Sequence, residues 1–250
     1  MRVGLIADIH GNLLALDAVL ADLGSTGAGR LVCLGDVAAL GPQPAEVVAR
    51  LRALGCPSVL GNTDAWLLDA STIDADATAS TMADLTRWAA ARLDGEDWAY
   101  LRACPPTLEL RLDAGTSLLC FHGSPRSYDE VISATTPEPE LATMLDGREA
   151  AILAGGHTHV QLLRRYGDAH LLNPGSVGLP GTGPGTPGLP VNRGVRWAEY
   201  AVLEVSDGRL SIDLRRVPLD VERLLAAGRA SGMPHADWWG STWQAPAGVA

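Results

Sequence analysis

Lysine is absent from this chain of 250 residues, and all 19 of its basic residues are arginines. A P-loop, in which a lysine contacts nucleotide phosphates, is therefore excluded, as are Schiff-base chemistry and a lysine general base. No apolar run approaches the length that spans a membrane, and Asp8 lies too early in the chain for a signal peptide to precede it. We therefore expect a soluble, cytoplasmic protein with no membrane partner.

Closely spaced cysteine pairs are missing as well. The four cysteines show no C-x-x-C spacing, and Cys33 and Cys120 lie within apolar runs, where a cysteine acts as a small core residue. A disulfide between Cys56 and Cys104 is the pairing that the sequence leaves open. The net charge of -10 argues against a stable nucleic-acid complex or an anionic membrane surface. A phosphate substrate stays compatible, because bound divalent cations would reverse the local sign of the charge.

What the chain does have is a series of short apolar runs typical of buried strands, which at first alternate with helical patterns. This alternation predicts two parallel β-α-β units, and the hairpin patterns of the second half predict antiparallel pairing. The expected fold class is therefore α/β, mixed with α+β features, with two packed sheets and helices outside them. Strands are predicted at 2–7, 30–34, 58–60, 108–112, 117–121, 151–154, 160–166, 169–172, 198–205 and 209–217, and helices at 13–23, 45–54, 138–145 and 220–229.

We interpret residues 1–250 as one domain, since α/β folds often use this length for a single domain. Residues 65–105 are predicted to form a helical insertion, which either caps a site or packs as an ordinary layer. The Pro- and Gly-rich stretch 174–194 indicates a long loop. The tail 231–250 shows no helical pattern, and its aromatic side chains are expected to dock on the domain or on a second subunit, which leaves a homo-oligomer open. The tryptophans of the tail are Trp238, Trp239 and Trp243.

Five polar clusters each follow an apolar run directly. In open α/β sheets, ligands bind outside the carboxyl ends of the strands, so every cluster falls where a site would be built. Carboxylate, imidazole and amide side chains together suit two divalent metal ions. Each cluster alone is a weak signal, but their order is discriminating, and Asp64 either orients a metal ligand or caps the following turn. The clusters are Asp8-Ile9-His10, Gly35-Asp36, Gly61-Asn62-Thr63-Asp64, His122-Gly123 and Gly156-His157-Thr158-His159.

This order of D-x-H, GD, GN-x-D, HG and GH-x-H resembles that of the calcineurin-like metallophosphoesterase superfamily. The stretches from Asp8 to Leu13 and from Asn173 to Ser176 resemble its small bacterial phosphodiesterase branch. The resemblance implies a four-layer αββα sandwich with a site for two divalent metal ions, chosen among Mn, Fe, Zn and Ni, between the edges of the two sheets. In that arrangement one metal binds Asp8, His10 and His159, the other binds Asn62, His122 and His157, and Asp36 bridges the two.

The activity that the resemblance implies is hydrolysis of a phosphate ester, in the first place a phosphodiester. A hydroxide bridging the metals attacks phosphorus in line, and Asp36, Asn62 and His122 are the expected catalytic residues. Many family members carry a histidine after the Gly-Asn pair. Here Thr63 stands in its place, and a hydroxyl cannot act as an acid near neutral pH. We therefore expect leaving groups of low pKa, and we assign substrate binding to Thr63 and Arg126.

Other functions stay open at this stage. A nucleoside polyphosphate hydrolase of the dinucleoside tetraphosphate type, a phosphomonoesterase or a protein phosphatase would use the same site. An amidohydrolase fits less well, because its H-x-H usually follows the first strand. A haloacid-type phosphatase would need the triplet Asp74-Ala75-Asp76 at a strand end, whereas it lies in polar, Ala-rich sequence. A non-catalytic scaffold of the same fold would have lost ligands, and all seven expected ligands are present.

Overall fold

A computed structural model of the chain describes residues 1–69, 71, 79–180 and 194–244. The triplet Asp74-Ala75-Asp76 and most of the predicted Pro- and Gly-rich loop lie outside the described residues. The strands are β1 (Arg2–Ile6), β2 (Arg30–Cys33), β3 (Leu108–Arg111), β4 (Ser117–Cys120), β5 (Ile152–Ala154), β6 (Leu162–Tyr166), β7 (Ala169–Asn173), β8 (Trp197–Ser206) and β9 (Arg209–Pro218). The helices are α1 (Leu13–Thr26), α2 (Pro44–Ala53), α3 (Asn62–Leu68), α4 (Ala79–Ala90), α5 (Gly95–Ala103), α6 (Glu138–Leu145), α7 (Val221–Ala230) and α8 (Ala236–Ser241).

The strands form two mixed sheets flanked by helices, which confirms the predicted fold class. The first sheet has the order β2-β1-β8-β9, and the second has the order β3-β4-β5-β7-β6. Parallel pairing of β1 with β2 follows from the crossover through α1, whereas the hairpins β3-β4, β6-β7 and β8-β9 are antiparallel. Helix α6 begins and ends at the predicted residues.

Apolar side chains fill the spaces between the layers. Side chains alternate between the two faces of a strand. Leu5 of β1 therefore faces the second sheet together with Leu118, while Ile6 faces the helices. A third cluster, which includes Phe121 and Leu141, joins the second sheet to α6. The layers follow the order helix, sheet, sheet, helix, so both sheets lie in the interior. The carboxyl ends of the parallel strands lie at one edge.

The predicted strand at 58–60 is wrong. Ser58 makes only an isolated parallel bridge to Cys33. Pro57 has no N–H to donate to a ladder, and the backbone N–H of Leu60 donates instead to the carbonyl of Pro105. Helix α3 then begins at Asn62. The segment is therefore too short to extend the sheet, but it still delivers Asn62 to the sheet edge.

The segment 65–105 contributes helices α4 and α5, whose apolar faces pack into the core through Leu85, Ala89 and Leu101. The prediction that the tail lacks a helix is wrong, because α8 forms there. At six residues it is too short to show a helical period in the sequence. The tryptophans of the tail dock on the domain itself: Trp239 of α8 and Trp243 after it are buried in the core, whereas Trp238 is partly exposed.

All four cysteines are free, so the disulfide between Cys56 and Cys104 is not formed. Within the described ranges, no helix combines the length and the apolar composition that crossing a membrane requires.

Candidate metal centre

The seven candidate ligands come together at one edge of the two sheets. Asp8 and His10 follow β1, Asp36 follows β2, His122 follows β4, and the pair of histidines follows β5. All seven side chains are buried, with no more than 7% of their surface exposed. This burial matters because ionisable groups are rarely buried without a partner. The seven are Asp8, His10, Asp36, Asn62, His122, His157 and His159.

One group of donor atoms surrounds the end of β1. Asp8, His10, Asp36 and His159 each offer one ligand atom, and these four atoms lie within 4.8 Å of one another. The Nε2 atoms of His10 and His159 are 3.1 Å apart, and His159 Nε2 is 3.3 Å from Asp8 Oδ1. This spacing is that of atoms that share one cation.

A second group surrounds the start of α3. Asn62 Oδ1 lies 3.0 Å from His122 Nε2 and 3.1 Å from His157 Nδ1. Asp36 stands between the two groups, because its Oδ2 is 3.6 Å from His10 Nε2 and 3.5 Å from His122 Nε2. A single carboxylate therefore faces both groups of nitrogens.

The outer ring nitrogens of three histidines fix their tautomers. Nδ1 of His10 lies 3.2 Å from the carbonyl oxygen of Ala39, and Nδ1 of His159 lies 2.8 Å from that of Leu179. Nδ1 of His122 likewise lies 2.7 Å from the carbonyl oxygen of Leu34. A carbonyl accepts but cannot donate, so Nδ1 carries the proton and a neutral ring turns the lone pair of Nε2 inward.

The ring nitrogens that face one another show whether a metal ion would fit between these residues. With both Nδ1 atoms protonated, the Nε2 atoms of His10 and His159 face each other at 3.1 Å, and two lone pairs at that distance repel unless a proton or a cation lies between them. Burial would lower the pKa of His159, but the Asp8 carboxylate raises it, so this position favours positive charge. Nitrogen and oxygen donors of this kind suit borderline divalent metals, and Nδ1–H bonds to carbonyls are the usual support of metal-binding histidines. The residues present fit divalent metal binding.

The backbone at the site is strained in a way that the sequence did not reveal. Five of the seven candidate ligands have left-handed backbone, with φ values of 55° at Asp8, 49° at His10, 57° at Asp36, 69° at His157 and 56° at His159. Residues other than glycine seldom adopt this conformation, and it costs of order 1–2 kcal/mol each. Such strain concentrates at functional sites, where surrounding contacts hold it in place.

Asp64 performs both of the roles that the sequence left open. Its carboxylate accepts hydrogen bonds from the backbone N–H groups of Asp36 at 2.8 Å and Val37 at 2.9 Å. It also accepts from the N–H of Gly61 at 3.1 Å, which caps α3. Burial, together with the charge of Asp36, raises the pKa of Asp64 to about 6. Asp64 thus ties the loop carrying Asp36 to the helix that begins with Asn62.

Gly61 is required here by close approach. A Cβ atom at this position would lie 2.1 Å from Asp36 Oδ1, which no side chain can accommodate. The backbone N–H of the next-but-one residue, Thr63, donates to the same Asp36 oxygen at 2.9 Å.

The segment from Asn173 to Leu179 supports the site from the second sheet. Ser176 Oγ donates to the carbonyl oxygen of Asp8 at 2.8 Å and accepts from the N–H of Leu179 at 2.9 Å. Asn173 Nδ2 donates to the carbonyl oxygen of Gly156 and, at 3.0 Å, to Thr158 Oγ1. The sequence marked this segment only as a family resemblance; the structure gives it a role in positioning, because it contacts the loops on both sides of the site.

The charges of the cluster influence one another. Burial on its own would raise the pKa of Asp36, but His122 and His10 lower it below its usual range. Burial would lower the pKa of His122, but the Asp36 carboxylate raises it to about 10. Burial lowers the pKa of His10 to about 4, and burial with the neighbouring His122 does the same to His157. Without a cation, the cluster at neutral pH therefore holds an ionised Asp36 carboxylate at its centre, a protonated His122 beside it, and neutral rings at His10 and His157.

The two predicted substrate-binding residues differ in their surroundings. Thr63 is buried beside the cluster, and its Oγ1 has no hydrogen-bond partner in the described part of the chain. Arg126 is exposed, and its Nε donates to both oxygens of Glu130, at 2.9 and 3.2 Å. A role of Arg126 in holding phosphate would require this ion pair to open.

Comparison with known proteins agrees with this geometry. A family model described as the calcineurin-like phosphoesterase superfamily domain matches residues 1–206. An uncharacterized protein of Methanocaldococcus jannaschii is 28% identical over 236 residues, which cover 88% of this chain and 89% of that protein.

Two solved structures cover almost the whole chain. A metallophosphoesterase from Sphaerobacter thermophilus has a TM-score of 0.72 and 26% identity, and the match covers 97% of this chain and 99% of that one. A hypothetical protein from Pyrococcus horikoshii has a TM-score of 0.79 and 20% identity, with coverage of 98% and 99%, and supports the fold alone. The chain belongs to the calcineurin-like phosphoesterase superfamily, whose members act on phosphate esters.

Proposed function

We propose that this chain is a phosphoesterase that uses two divalent metal ions and prefers phosphodiesters. The observation that carries the proposal is the position of Asp36, whose Oδ2 lies 3.6 Å from His10 Nε2 and 3.5 Å from His122 Nε2. A carboxylate between two sets of lone pairs is the arrangement that bridges two cations. One cation would be held by Asp8, His10, His159 and Asp36, and the other by Asn62, His122, His157 and Asp36.

When bound, the metal ions would supply a nucleophile derived from water and positive charge for in-line displacement at phosphorus. The chain's own residues hold that chemistry in place. Asp36 is held in position because its backbone N–H donates to the Asp64 carboxylate and its own carboxylate accepts from the N–H of Thr63. The carbonyls of Ala39 and Leu34 fix the ring orientation of His10 and His122. Such a preorganised site does not have to rearrange as charge develops.

A preference for leaving groups of low pKa, such as those of aryl phosphodiesters, follows from Thr63. Its hydroxyl can donate a hydrogen bond to a departing oxygen but cannot protonate it near pH 7. The leaving group must then depart as an anion, so its own pKa controls the rate. For a series of aryl phosphodiesters we expect the logarithm of kcat/KM to fall steeply as the pKa of the departing phenol rises. A rate independent of that pKa, with rapid hydrolysis of alkyl monoesters, would contradict this inference.

The decisive test combines metal analysis with substrate comparison. The purified protein, loaded with Mn²⁺, is expected to bind two equivalents and to hydrolyse bis-p-nitrophenyl phosphate faster than p-nitrophenyl phosphate. Asp36→Asn should lower both the metal content and the rate, because an amide cannot bridge two cations as a carboxylate does. Asp168→Asn, at an exposed turn, is the matched control and should behave as the unmodified chain.

The same experiment separates the competing functions. Faster hydrolysis of dinucleoside polyphosphates would indicate a nucleoside polyphosphate hydrolase, and faster hydrolysis of p-nitrophenyl phosphate would indicate a monoesterase. Metal binding without turnover of any of these esters would favour a scaffold. No metal binding by the unmodified chain would overturn the proposal.

A further inference from the structure

The first sheet brings two residues of the C-terminal hairpin to the edge that holds the candidate metal centre. β8 runs antiparallel to β1 with Leu5 opposite Ala201, so the start of β8 lies beside the end of β1. Trp197 is the first residue of β8, and Arg216 of β9 stands opposite Glu199. Since Ala201 faces the second sheet, the alternation along the strand places Trp197 and Glu199 on that same face.

Hydrogen bonds confirm that this hairpin adjoins the site. The backbone N–H of Glu199 donates to the carbonyl oxygen of Ser176 at 2.9 Å, and the hydroxyl of Ser176 donates to the carbonyl oxygen of Asp8. Gln161, two residues after His159, accepts from Arg216 Nε at 3.2 Å. The hairpin β8-β9 therefore contacts Asp8 through Ser176, and it contacts the segment after His159 through Gln161.

Arg216 is held in place while more than half of its side chain stays in solvent. Its Nε also donates to Glu199 Oε1 at 3.1 Å, and Glu199 is a buried carboxylate. The side chain of Arg216 is nevertheless 57% exposed, and its Nη groups make no hydrogen bond within the described residues. A fixed guanidinium with free donors can bind a ligand at little entropic cost.

Trp197 provides a flat apolar surface beside this guanidinium. Its indole N–H donates to Glu199 Oε1 at 2.9 Å, which fixes the ring, and the guanidinium of Arg216 lies 5.0 Å from the ring centroid. An aromatic ring with a guanidinium plane beside it suits an aromatic group that carries hydrogen-bond acceptors.

We propose that Trp197 and Arg216 form a subsite for the nucleobase, or an equivalent aromatic group, of the phosphate ester bound at the metal centre. The inference rests on the proposed function, because it assigns the part of the substrate beyond the phosphoryl group. It gives Arg216 a contact with the substrate that differs from the phosphate contact suggested by the sequence for Arg126, whose guanidinium is engaged by Glu130. The sequence could not indicate this, because the residues lie far from the motifs along the chain.

The test separates phosphate binding from base binding. Calorimetry on the Mn²⁺-loaded protein would measure the Kd of inorganic phosphate, which reports on the metal centre, and the Kd of thymidine 5′-monophosphate, which adds the base. We expect the nucleotide to bind about tenfold more tightly than phosphate, as base stacking on an aromatic side chain allows. Trp197→Ala and Arg216→Ala should remove most of this difference and leave the Kd of phosphate unchanged.

Conservative and control variants distinguish a specific contact with the base from a general effect of the substitution. Trp197→Phe retains a ring and should keep most of the difference, whereas Arg216→Lys retains charge without a planar group and should keep only part of it. Arg102→Ala is the matched control, because Arg102 is also exposed beside a tryptophan, at 5.5 Å from the ring of Trp98 on α5. It should change neither Kd.

Two results would overturn the inference, and they are distinguishable. If phosphate binds but the nucleotide gains nothing, or if its gain survives both alanine variants, the subsite is refuted and the phosphoesterase proposal stands. If phosphate itself does not bind the metal-loaded protein, the proposed function fails and the subsite fails with it.

Discussion

Replacement of Ser176 by alanine should weaken one metal position and spare the other. The Ser176 hydroxyl is fully buried; it donates to the carbonyl oxygen of Asp8 at 2.8 Å and accepts from the N–H of Leu179 at 2.9 Å. The Asp8 carbonyl keeps a second donor, the N–H of Gly178 at 2.9 Å, but the hydrogen bonds of the Ser176 hydroxyl to Asp8 and from Leu179 are lost. Loss of these two buried hydrogen bonds costs about 1–3 kcal/mol of unfolding free energy.

The loss should reach the metal through His159. The carbonyl oxygen of Leu179 accepts from Nδ1 of His159 at 2.8 Å, so a shift of Leu179 moves a candidate ligand. Loss of such an indirect support lowers metal affinity by roughly 10- to 100-fold. The other group of ligands depends on contacts that do not involve Ser176, namely the Leu34 carbonyl for His122 and Asp64 for the start of α3. The affinity of that position should stay unchanged.

The assay is a metal titration followed by calorimetry, with urea unfolding of the metal-free protein as the measure of stability. The unmodified chain should show two binding events, and Ser176→Ala should weaken one of them. Ser58→Ala removes another buried hydroxyl, one that donates to the carbonyl oxygen of its neighbour Val59, and should weaken neither. If Ser176→Ala weakens both events equally, or Ser58→Ala matches it, the reasoning that the two positions have separate supports is refuted.

Two further predictions concern stability. Arg215, with a hydrogen bond from Tyr200, lowers the pKa of Asp22, so its contribution is present at neutral pH and is lost as the pH falls through the folded-state pKa. Asp22→Asn should therefore cost roughly 1–2 kcal/mol at pH 7 and less as the pH falls through the folded-state pKa, measured by urea unfolding across that range; a cost that does not fall with pH would contradict the assignment. Gly228→Ala would place a Cβ 2.9 Å from the buried Trp239 ring, and should lower the unfolding free energy by about 1–3 kcal/mol. Gly24→Ala, on α1 with nothing within 4 Å of the added Cβ, should instead raise it by about 0.5–1 kcal/mol, and a thermal melt in which both variants shift in the same direction would contradict this account.

The fold was predictable where the pattern is local. The residues of α6 could be assigned from their apolar spacing and flanking prolines, and the hairpin β8-β9 from alternation around Asp207-Gly208, because both signals lie within one element. The segment 58–60 and helix α8 could not. The first is decided by Pro57 and a hydrogen bond to a distant carbonyl, and the second by burial of Trp239 and Trp243 in the core. Tertiary contacts decide such short elements, and no window of sequence contains those contacts.

The candidate site likewise has a part that could be predicted from the sequence and a part that could not. Its ligands could be proposed from sequence because each follows a strand, and strand ends converge by topology. The residues that hold those ligands could not. The carbonyls of Ala39, Leu34 and Leu179 are backbone groups that any sequence would supply, and Ser176 acts on Asp8 from the other sheet. Residue type shows which atoms can bind a metal, whereas the contacts that orient them appear only in three dimensions.

The strained backbone of the site makes a last prediction about metal removal. Five candidate ligands in left-handed conformation carry roughly 5–10 kcal/mol of strain between them. A cation that binds only the folded chain would offset this cost by mass action, by about 2.7 kcal/mol at a free concentration 100 times its Kd. Treatment with a chelator should therefore lower the thermal midpoint of the protein, and Mn²⁺ should restore it. Asp36→Asn should reduce the gain on adding Mn²⁺, while Asp168→Asn should keep it. A thermal midpoint that is the same with and without metal would mean that the cluster is stable without a cation. That result would contradict the prediction that a bound cation offsets the strain.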